Sequence, residues 1–413
     1  MPTSTLIKQI CTVDDDCDIN SPPLDLSVIG IDKTFIHWYH DVSYGSDEYG
    51  CTSLPNIFHV WLIDRNGNHV NVTGNECTPY WGWGRLKSLY YDGSKWYILW
   101  AGVRYTSANT GYPFIMVIDL SNPDSPSTTI LQGSSTISSP SNIIVNIQNG
   151  KVVYSQHNSA AYIFDFNDLL TASSLDDVLA NAIAINVGVG HHIGLLGSDK
   201  IVIVDNNRNW YIYDYSGTQL YNGTLSAYPD APIPIYYQGT QAVWVWRIDQ
   251  SSATIIKDDG TTVTKSVTAY TGDTWKFGVY AIGVKMFIAI EPAGEGILYD
   301  PINDVMTTGI PVDCPIISFG KPNNMVCVDK IVGYANFKKF VPDSYFIVSV
   351  NGNKVTVTDS AGNPLSGKTV YMWKLTALTN LYAGIDNTYQ TATTDANGQV
   401  TIPFSGVVAI AVP

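Results

Sequence analysis

A short motif recurs six times along this chain of 413 residues. Each copy is a run of mostly apolar or aromatic residues that closes on an aspartate, and successive aspartates are 55, 46, 49, 44 and 42 residues apart. Self-similarity at such a period indicates one repeated structural unit that buries its apolar face against its neighbours. The six copies are Val60–Asp64, Met116–Asp119, Tyr162–Asp165, Tyr211–Asp214, Ile255–Asp258 and Ile297–Asp300.

A second strand-like run, rich in β-branched and aromatic residues, precedes each copy of the motif. These runs are Phe35–Tyr39, Trp96–Trp100, Lys151–Tyr154, Lys200–Val204, Ala242–Trp246 and Met286–Ile290. Four strands in roughly 40–50 residues are typical of a propeller blade. The repeat resembles generic β-propeller blades and lacks the signatures of tryptophan–aspartate and kelch repeats. We therefore predict an all-β fold in which the motif is the third strand of each blade and its aspartate accepts hydrogen bonds from the following turn. The one sizeable helix is predicted over about Asp168–Asn181.

A seventh blade is predicted from strands near Pro315–Phe319, Met325–Val328 and Tyr334–Phe340. Its fourth strand is expected from the N-terminus, at Thr5–Val13, because this pairing would remove two open sheet edges. The propeller would then occupy residues 1–341. The seventh segment lacks the aspartate motif, so six blades is the alternative.

The pattern changes after residues 342–344. The segments Val355–Val370 and Thr393–Phe404 contain the stretches Asp-Ser-Ala-Gly-Asn-Pro-Leu-Ser-Gly and Thr-Asp-Ala-Asn-Gly-Gln-Val. They resemble bacterial immunoglobulin-like modules of the invasin type and the related carboxypeptidase-regulatory and transthyretin-like domains. The resemblance implies an Ig-like β-sandwich over residues 345–413 that acts as a spacer or docking unit and contacts another subunit. The final run, Val407–Val412, is apolar throughout, which predicts burial on both faces.

Charge is sparse and mostly negative, with 36 Asp and Glu against 22 Lys and Arg. No basic stripe could neutralise phosphates, so nucleic acid is excluded as a partner. No segment reaches the ~18 apolar residues of a membrane span. Carboxylates can be neutralised by acid without much positive self-repulsion, which suits an acidic habitat. The five arginines are scattered along the sequence, at Arg65, Arg85, Arg104, Arg208 and Arg247.

Cysteines and sequons are typical of a protein outside the cell. The six cysteines fall into three local pairs without the spacing of a zinc site. We predict the disulfides Cys11–Cys17, Cys51–Cys77 and Cys314–Cys327, with six buried thiols as the alternative. The sequons Asn71-Val72-Thr73 and Asn222-Gly223-Thr224 permit N-glycosylation, although two are also expected by chance.

No motif in the sequence indicates catalysis, a metal site or a cofactor. There is no G-x-S-x-G elbow, no phosphate loop and no H-E-x-x-H. The turn Asp92–Trp96 resembles part of the sialidase Asp-box, but that box is itself a structural hairpin. A sialidase also needs a cluster of arginines, whereas the five arginines of this chain are scattered along its sequence. Two carboxylate pairs could be imagined as those of a glycosidase, but we assign them to solvation of loops: Asp47 with Glu48, and Glu291 with Glu295. The histidines are expected to make ordinary hydrogen bonds: His37, His40, His59, His191 and His192. The chain is predicted not to be an enzyme.

Aromatic loops give the strongest functional signal. In a propeller, the loops from second to third strand and from blade to blade emerge at the same end, and the longest are expected at Asp41–Asn56, Gly74–Gly84 and Ala101–Pro113. Rigid aromatic side chains offer recognition a large contact area at little entropy cost. Aromatic residues that merely cover the rim are the alternative. The predicted binding residues are Tyr44, Tyr49, Tyr80, Trp81, Trp83, Arg104, Tyr105 and Tyr112.

These features favour a structural or host-attachment protein on the surface of a virus particle, with a host among hot-acid archaea. The propeller would be the recognition or decorating head and the Ig-like module the connector. The N-terminus shows no apolar export signal, so assembly into a released particle is the expected route out of the cell. The expected partners are other virion subunits, copies of the same chain, or a host surface glycan. A secreted or surface lectin or adhesin of a prokaryote is the alternative, and an extracellular glycosidase is the second.

Overall fold

The computed structural model of the chain describes residues 3–10, 17–18, 24–25, 33–40, 57–64, 69–72, 87–107, 110–138, 143–156, 160–187, 191–229, 232–247, 249–269, 277–282, 285–290, 295–311, 316–317, 325–331, 334–341, 347–359, 361–374, 390–403 and 408–411. Strands dominate these residues, as the all-β prediction requires.

Seven antiparallel sheets follow one another along residues 3–341, each with four strands in its main path. We call them blades 1 to 7 in chain order. The chain begins with β1 (Thr3–Ile10). Blade 1 contains β2 (Cys17–Asp18), β3 (Leu24–Asp25), β4 (Lys33–His40), β5 (Ile57–Asp64) and β6 (His69–Asn71). Blade 2 contains β7 (Lys87–Tyr91), β8 (Trp96–Ser107), β9 (Thr110–Asp119), β10 (Ser127–Gln132) and β11 (Ile137–Ser138). Blade 3 contains β12 (Ile143–Gln148), β13 (Lys151–Gln156), β14 (Ala160–Asp165), the helices α1 (Phe166–Thr171) and α2 (Leu175–Ala180), and β15 (Ile183–Asn186).

The remaining blades are more regular. Blade 4 contains β16 (His191–Leu196), β17 (Lys200–Asp205), β18 (Asn209–Asp214) and β19 (Gln219–Thr224). Blade 5 contains β20 (Ile233–Tyr237), β21 (Thr240–Val245), β22 (Ser252–Lys257) and β23 (Thr262–Ser266). Blade 6 contains β24 (Phe277–Ile282), β25 (Lys285–Ile290), β26 (Glu295–Asp300) and β27 (Val305–Pro311). Blade 7 contains β28 (Ile316–Ile317), β29 (Met325–Ile331) and β30 (Tyr334–Val341).

The N-terminal strand completes blade 7. The order of that sheet is β1-β30-β29-β28, and β1 pairs antiparallel with β30, from Thr3 opposite Val341 to Ile10 opposite Ala335. The predicted closure is confirmed, with the strand at Thr3–Ile10 in place of Thr5–Val13. The propeller therefore has seven blades rather than six, and β1 covers the outer edge of the last.

The repeated motif is the third strand of each of blades 1 to 6, as predicted: β5, β9, β14, β18, β22 and β26. In β22 the four central residues are all buried, because the strand lies between two neighbouring strands and its sheet lies between two other blades. The first strands β12 and β16 are buried at every position. The outer strand β23 instead alternates between exposed and half-buried residues. Continuous apolar runs therefore mark inner strands, and polar runs mark the outer wall.

Apolar cores lie between successive blades. Blades 3 and 4 share a core that includes Val153, Ile163, Ile193 and Ile203, none more than 1% exposed. Equivalent clusters join blades 2 and 3, blades 4 and 5, and blades 5 and 6. From blade 2 to blade 7, the first strand of each blade also contacts the first strand of the next. Since burying one aliphatic side chain contributes about 1.5–3 kcal/mol, each blade is stabilised largely by its neighbours.

The predicted helix is present as two short helices, α1 and α2, between the third and fourth strands of blade 3. Ala172 ends α1 with an extended backbone, and Ser174 begins α2 by accepting a hydrogen bond from the backbone N–H of Asp177 at 3.2 Å. Serine is a strong helix N-cap, which explains the interruption of the predicted helix. In the described part of the chain, no helix is long and apolar enough to cross a membrane.

After the propeller the chain forms six further strands in two sheets. These are β31 (Ile347–Asn351), β32 (Lys354–Thr358), β33 (Thr369–Lys374), β34 (Gln390–Thr393), β35 (Gln399–Thr401) and β36 (Val408–Ala411). The sheet orders are β31-β32-β35 and β34-β33-β36. Val355, Val357 and Val400 of the first sheet share a core with Val370 and Met372 of the second, so the sheets form a sandwich. The strand β36 in the apolar final run pairs with β33 at a sheet edge, and the predicted burial of its side chains falls outside the described residues.

Candidate functional site

The antiparallel blades give the propeller two different ends. At the first, which we call the turn end, connections join the first strand of a blade to the second and the third to the fourth, the latter through α1 and α2 in blade 3. At the second, the loop end, connections join the second strand to the third and each blade to the next. The repeated aspartates close third strands and so belong to the turn end, whereas Arg104 and Tyr112 of the predicted aromatic rim belong to the loop end.

The repeated aspartates organise turns. Oδ1 of Asp214 accepts hydrogen bonds from the backbone N–H groups of Ser216 and Thr218, both at 2.9 Å. Asp119 and Asp300 likewise accept from the backbone N–H two residues further on. The hydrogen bonds from Ser216 lower the pKa of Asp214, so this carboxylate is held as an anion. The predicted structural role is confirmed for these three aspartates.

In two copies of the motif, the segment after the third strand is stabilised in another way. In blade 5 the following residue, Asp259, accepts from the backbone N–H of Thr261 at 2.8 Å, in place of Asp258. In blade 3, Asp165 is the N-cap of α1. The turn that resembles part of the Asp-box is a hairpin of the same kind, because Oδ1 of Asp92 accepts from the backbone N–H groups of the second and third residues after it.

A partly buried polar network joins blades 5 and 6 near the turn end. Asp304, on the turn before β27, accepts a hydrogen bond from the hydroxyl of Tyr299 at 2.8 Å and forms an ion pair with Lys265. Burial opposes ionisation of Asp304, but the hydrogen bonds from Lys265 and Tyr299 hold its pKa below the usual range. Tyr299 is only 1% exposed, so its hydroxyl cannot reach a substrate. The network fastens two blades together.

The histidines His191 and His192 are both buried on the first strand of blade 4. Nε2 of His191 lies 2.5 Å from Oγ of Ser155 in blade 3, so this pair joins two blades through a polar contact. Among the described residues, no group of three His, Cys, Asp or Glu side chains is placed to hold a metal ion. The side chains of His37, His40, His59, Asp47, Glu48, Glu291 and Glu295 lie outside the described residues.

Most of the predicted aromatic rim also lies outside the described residues. This holds for Tyr44, Tyr49, Tyr80, Trp81 and Trp83, for the side chain of Tyr105, and for the side chains of the predicted disulfides Cys11–Cys17, Cys51–Cys77 and Cys314–Cys327. Arg104 is exposed and Tyr112 half-buried, and they pair across β8 and β9. Both the disulfides and the role of this rim stay predictions.

One expected loop is instead a hairpin. Residues predicted as the loop Ala101–Pro113 continue as paired strands, because β8 has 12 residues and β9 has 10, against six in each of β17 and β18. Gly111 permits this pairing: a Cβ there would lie 2.4 Å from the carbonyl oxygen of Arg104. Arg104 and Tyr112 are therefore presented by a rigid ladder rather than by a loop.

A cluster of charged and aromatic side chains occupies the loop end at blades 4 and 5. The guanidinium carbon of Arg208 lies 5.5 Å from the ring centroid of Tyr228, and that of Arg247 lies 5.2 Å from the same ring. Arg208 is on the β17–β18 turn, Tyr228 on the connection between the blades, and Arg247 on the β21–β22 connection. We call Arg208, Tyr228, Arg247 and Asp249 the rim cluster. It contains two of the five arginines of the chain, and its tyrosine is 50% exposed.

The backbone under Arg208 is fixed from several sides. Asp205, 7% exposed, accepts hydrogen bonds from the backbone N–H groups of Asn207 and Asn209 at 2.9 and 2.8 Å. The carbonyl of Arg208 accepts from the N–H of Leu225 at 2.6 Å. The φ of Arg208 is 68°, a left-handed conformation that costs a non-glycine residue energy and persists only where its surroundings enforce it. The turn therefore presents an arginine at a position that would suit glycine better.

Arg247 is fixed by a carboxylate. Its Nε and one Nη each donate to a different oxygen of Asp249 at 2.6 Å, a bidentate pair. These hydrogen bonds lower the pKa of Asp249. Gln250 ties the same loop to the blade, since its carbonyl accepts from the indole Nε1 of Trp246 at 2.8 Å. Counting Asp249, the rim cluster carries one net positive charge on a chain of net charge −14.

The sequence does not predict this cluster, because its arginines are scattered along the chain. Arg208 and Arg247 are 39 residues apart, yet the fold brings both to one tyrosine. The signal that could have found them is positional. Both arginines fall between the second strand and the motif strand of consecutive repeats, and those connections meet at one end of a propeller.

No protein-family model and no curated protein sequence matches the chain. Among solved structures, it is similar to a catalytically inactive virginiamycin B lyase from Staphylococcus aureus with quinupristin, at 10% identity over 83% of this chain and 99% of that one, with a TM-score of 0.47. It is similar to Raptor from Chaetomium thermophilum at 10% identity over 81% of this chain and 28% of that one, with a TM-score of 0.47. A streptogramin B lyase matches at 10% identity over 74% of this chain and 98% of that one, with a TM-score of 0.42.

Likenesses of this size carry no argument about function. The class of the protein follows from its own sheet order and from the cores between its blades. It is a seven-bladed β-propeller followed by a two-sheet β-sandwich.

Proposed function

We propose that this protein is a non-catalytic surface protein of a virus particle, and that its propeller recognises an acidic glycan at the rim cluster. One observation supports an acidic glycan as the ligand: two guanidinium groups lie against one half-exposed tyrosine ring at the loop end. The C-terminal sandwich serves in this proposal as the connector to the particle.

A sugar that bears a carboxylate suits the chemistry of the rim cluster. The planar donors of a guanidinium match the two oxygens of a carboxylate. Asp249 already uses two donor groups of Arg247, whereas the guanidinium of Arg208 lies over the ring of Tyr228 and makes no side-chain hydrogen bond or ion pair with another described residue. We therefore assign the ligand carboxylate to Arg208. The exposed part of Tyr228 supplies a rigid apolar surface and a hydroxyl for the sugar itself.

The acidity of the whole chain restricts how such a ligand is captured. An anionic glycan is repelled at long range by a protein of net charge −14, but at about 0.1 M salt this repulsion is screened beyond roughly 10 Å. Recognition must then come from close contacts. A turn fixed by Asp205 and a bidentate pair at Arg247 provide them in advance, so little side-chain entropy is lost on binding.

The non-catalytic part of the proposal is supported by how the described carboxylates are used. Asp92, Asp119, Asp214 and Asp259 each accept hydrogen bonds from the backbone of their own turn. Such carboxylates stay anionic and cannot donate a proton as the acid of a glycosidase must.

Glycan binding by the purified full chain tests the ligand class. We expect binding to glycans that carry uronic or sialic acids and at least tenfold weaker binding to neutral glycans of similar size. Arg208→Ala should abolish this preference. Lys151→Ala removes one exposed positive charge at the turn end and is the matched control, which should bind like the wild type. Equal binding of acidic and neutral glycans, or unchanged binding by Arg208→Ala, would contradict the proposal.

The location is tested separately. Protein mass spectrometry of purified virus particles and of cell envelopes from the natural source should find the chain in the particles. If the chain is found in the envelope fraction alone, the protein is a surface adhesin of a prokaryote rather than a virion protein. The glycan experiment is unaffected by that result.

A further inference from the structure

Both N-glycosylation sequons of the chain have their asparagine on the outermost strand of a blade. Asn222 lies on β19, the fourth strand of blade 4, and Asn71 is the last residue of β6, the fourth strand of blade 1. Fourth strands form the side wall of a propeller, away from its central strands. The fold thus places at equivalent positions two sequons that are 151 residues apart in the sequence.

The two asparagines also share a register position. Asn222 pairs with Tyr211 on β18, and Asn71 pairs with Trp61 on β5. Each aromatic partner stands three residues before the repeated aspartate of its blade. Directly opposed residues of an antiparallel pair have Cβ atoms about 4.5–5.5 Å apart. For Asn222 and half-buried Tyr211, this spacing suits packing of a first sugar ring on the tyrosine.

The sequon at Asn222 is accessible in the folded chain. Asn222 and Thr224 are both exposed, and β19 is the last strand in the order β16-β17-β18-β19. Within the part of the chain that the structure describes, the amide of Asn222 has no hydrogen-bond partner. A sugar on its Nδ2 would displace no hydrogen bond to a described residue and would extend from an exposed position.

We propose that Asn222 and Asn71 carry N-linked glycans. This inference rests on the location outside the cell that is part of the proposed function, and it is independent of the ligand of the rim cluster. In the transfer, the amide Nδ2 bonds to the anomeric carbon of an oligosaccharide attached to a lipid phosphate. The bond between that carbon and the phosphate oxygen breaks, the lipid phosphate leaves, and one amide proton passes to a base of the transferase.

Glycans at these positions would protect the side wall. Next to Asn222 on β19, Leu220 is 39% exposed and Tyr221 is 43% exposed. An outermost strand with apolar side chains is a template for pairing with another sheet. A glycan on Asn222 covers this edge and leaves the loop end, with the rim cluster, open to a ligand.

The test is glycopeptide mass spectrometry on the full chain purified from its natural source, whichever fraction contains it. We expect the peptides containing Asn71 and Asn222 to carry hexose-based mass additions on the asparagine. Variants produced in the same cells assign the modification. Thr224→Val, nearly isosteric on an exposed strand, should lose the mass addition at Asn222, whereas Thr224→Ser preserves the sequon and should keep it. A thermal unfolding midpoint close to that of the wild type confirms that Thr224→Val is folded.

The possible outcomes are distinct. Unmodified masses at both asparagines overturn the inference, wherever the protein is found, and leave glycan binding at the rim cluster to its own experiment. Modification of one site alone overturns the inference for the other site and, with it, the argument from equivalent positions. A mass addition that persists in Thr224→Val shows that the group is not an N-glycan directed by the sequon.

Discussion

The guanidinium carbon of Arg208 lies 5.5 Å from the ring centroid of Tyr228, and the residue that supplies it has a φ of 68°. A left-handed conformation at a non-glycine residue costs of order 1–3 kcal/mol. The buried carboxylate of Asp205 enforces it, since this carboxylate accepts hydrogen bonds from both residues that flank Arg208. The arginine at this turn therefore lowers the stability of the fold, while it places a guanidinium group beside Tyr228.

Replacing Arg208 separates the two effects. Arg208→Ala keeps the strained conformation and removes the guanidinium, whereas Arg208→Gly removes both. We expect Arg208→Gly to be more stable than Arg208→Ala by about 1 kcal/mol, because glycine adopts positive φ without a steric penalty. Both variants should lose the preference for acidic glycans. Urea unfolding measures the difference, and equal stability of the two variants would show that the turn relaxes around alanine.

Close approach of two central strands depends on Gly194. A Cβ at this position on β16 would lie 2.6 Å from the carbonyl oxygen of Pro232, just before β20. Because that oxygen belongs to the backbone, Gly194→Ala should force blades 4 and 5 apart and cost about 1–3 kcal/mol. Gly133→Ala is the control: its nearest atom would be Cγ of Pro113 at 3.1 Å, a contact that a shift of a few tenths of an ångström relieves. Thermal unfolding that affects both variants equally would contradict this reading of Gly194.

The ion pair between Lys265 and Asp304 should couple blades 5 and 6. A double-mutant cycle of Lys265→Met and Asp304→Asn measures it, since asparagine tolerates the positive φ of 57° at residue 304. The side chains of both residues are largely buried, and we expect a coupling free energy of about 0.5–3 kcal/mol. Tyr299→Phe, which removes one further hydrogen bond to Asp304, should cost about 1 kcal/mol. Additive effects in the cycle would mean that the pair contributes packing alone.

Stability should fall in acid. Several carboxylates have folded-state pKa values below the unfolded value of about 3.9, so their contribution is present above that pH and is lost as the pH falls through the folded-state pKa. They are Asp92, Asp119, Asp177, Asp214, Asp249, Asp259, Asp304 and Asp359. Urea unfolding at pH 6, 4 and 2 should show a smaller loss of stability at the first step and a larger loss at the second. Asp214→Asn should reduce that loss, and a free energy of unfolding that is flat to pH 2 would refute the prediction.

The architecture could be predicted from the sequence because inner strands and turns obey local rules. The apolar run before Asp214 must lie between neighbouring strands, and its aspartate must satisfy the turn that follows. The N-terminal strand follows from the need to cover the open edge of β30, which a free strand would otherwise expose. Both arguments use residues close in sequence or a general need to pair edges.

What could not be predicted depends on distances between repeats or on single contacts. The rim cluster depends on the angle between blades 4 and 5, which no local pattern encodes, so the sequence positions of Arg208 and Arg247 do not indicate that they meet. The hairpin β8–β9 depends on the absence of a Cβ at Gly111, and the break between α1 and α2 depends on Ser174 as a cap. Each of these features depends on one atom or one angle. The propeller fold is easier to predict, because the same sequence pattern occurs in six copies.

The sandwich and the propeller should be separable. The apolar core around Val355 and Met372 lies wholly within residues 355–402. The four strands of blade 7 are β1, β30, β29 and β28, so this blade uses no strand of the sandwich. Deletion of residues 345–413 should therefore leave the main unfolding transition of the propeller within a few degrees of its position in the full chain. Deletion of residues 1–10 should lower that midpoint and promote association, because β30 keeps only β29 as a partner and becomes an exposed edge. Calorimetry and size-exclusion chromatography of both truncations measure the unfolding midpoint and the association.

If the sandwich is the connector, its deletion should also prevent incorporation into the particle. A truncated chain that incorporates normally would assign the connection to the propeller instead.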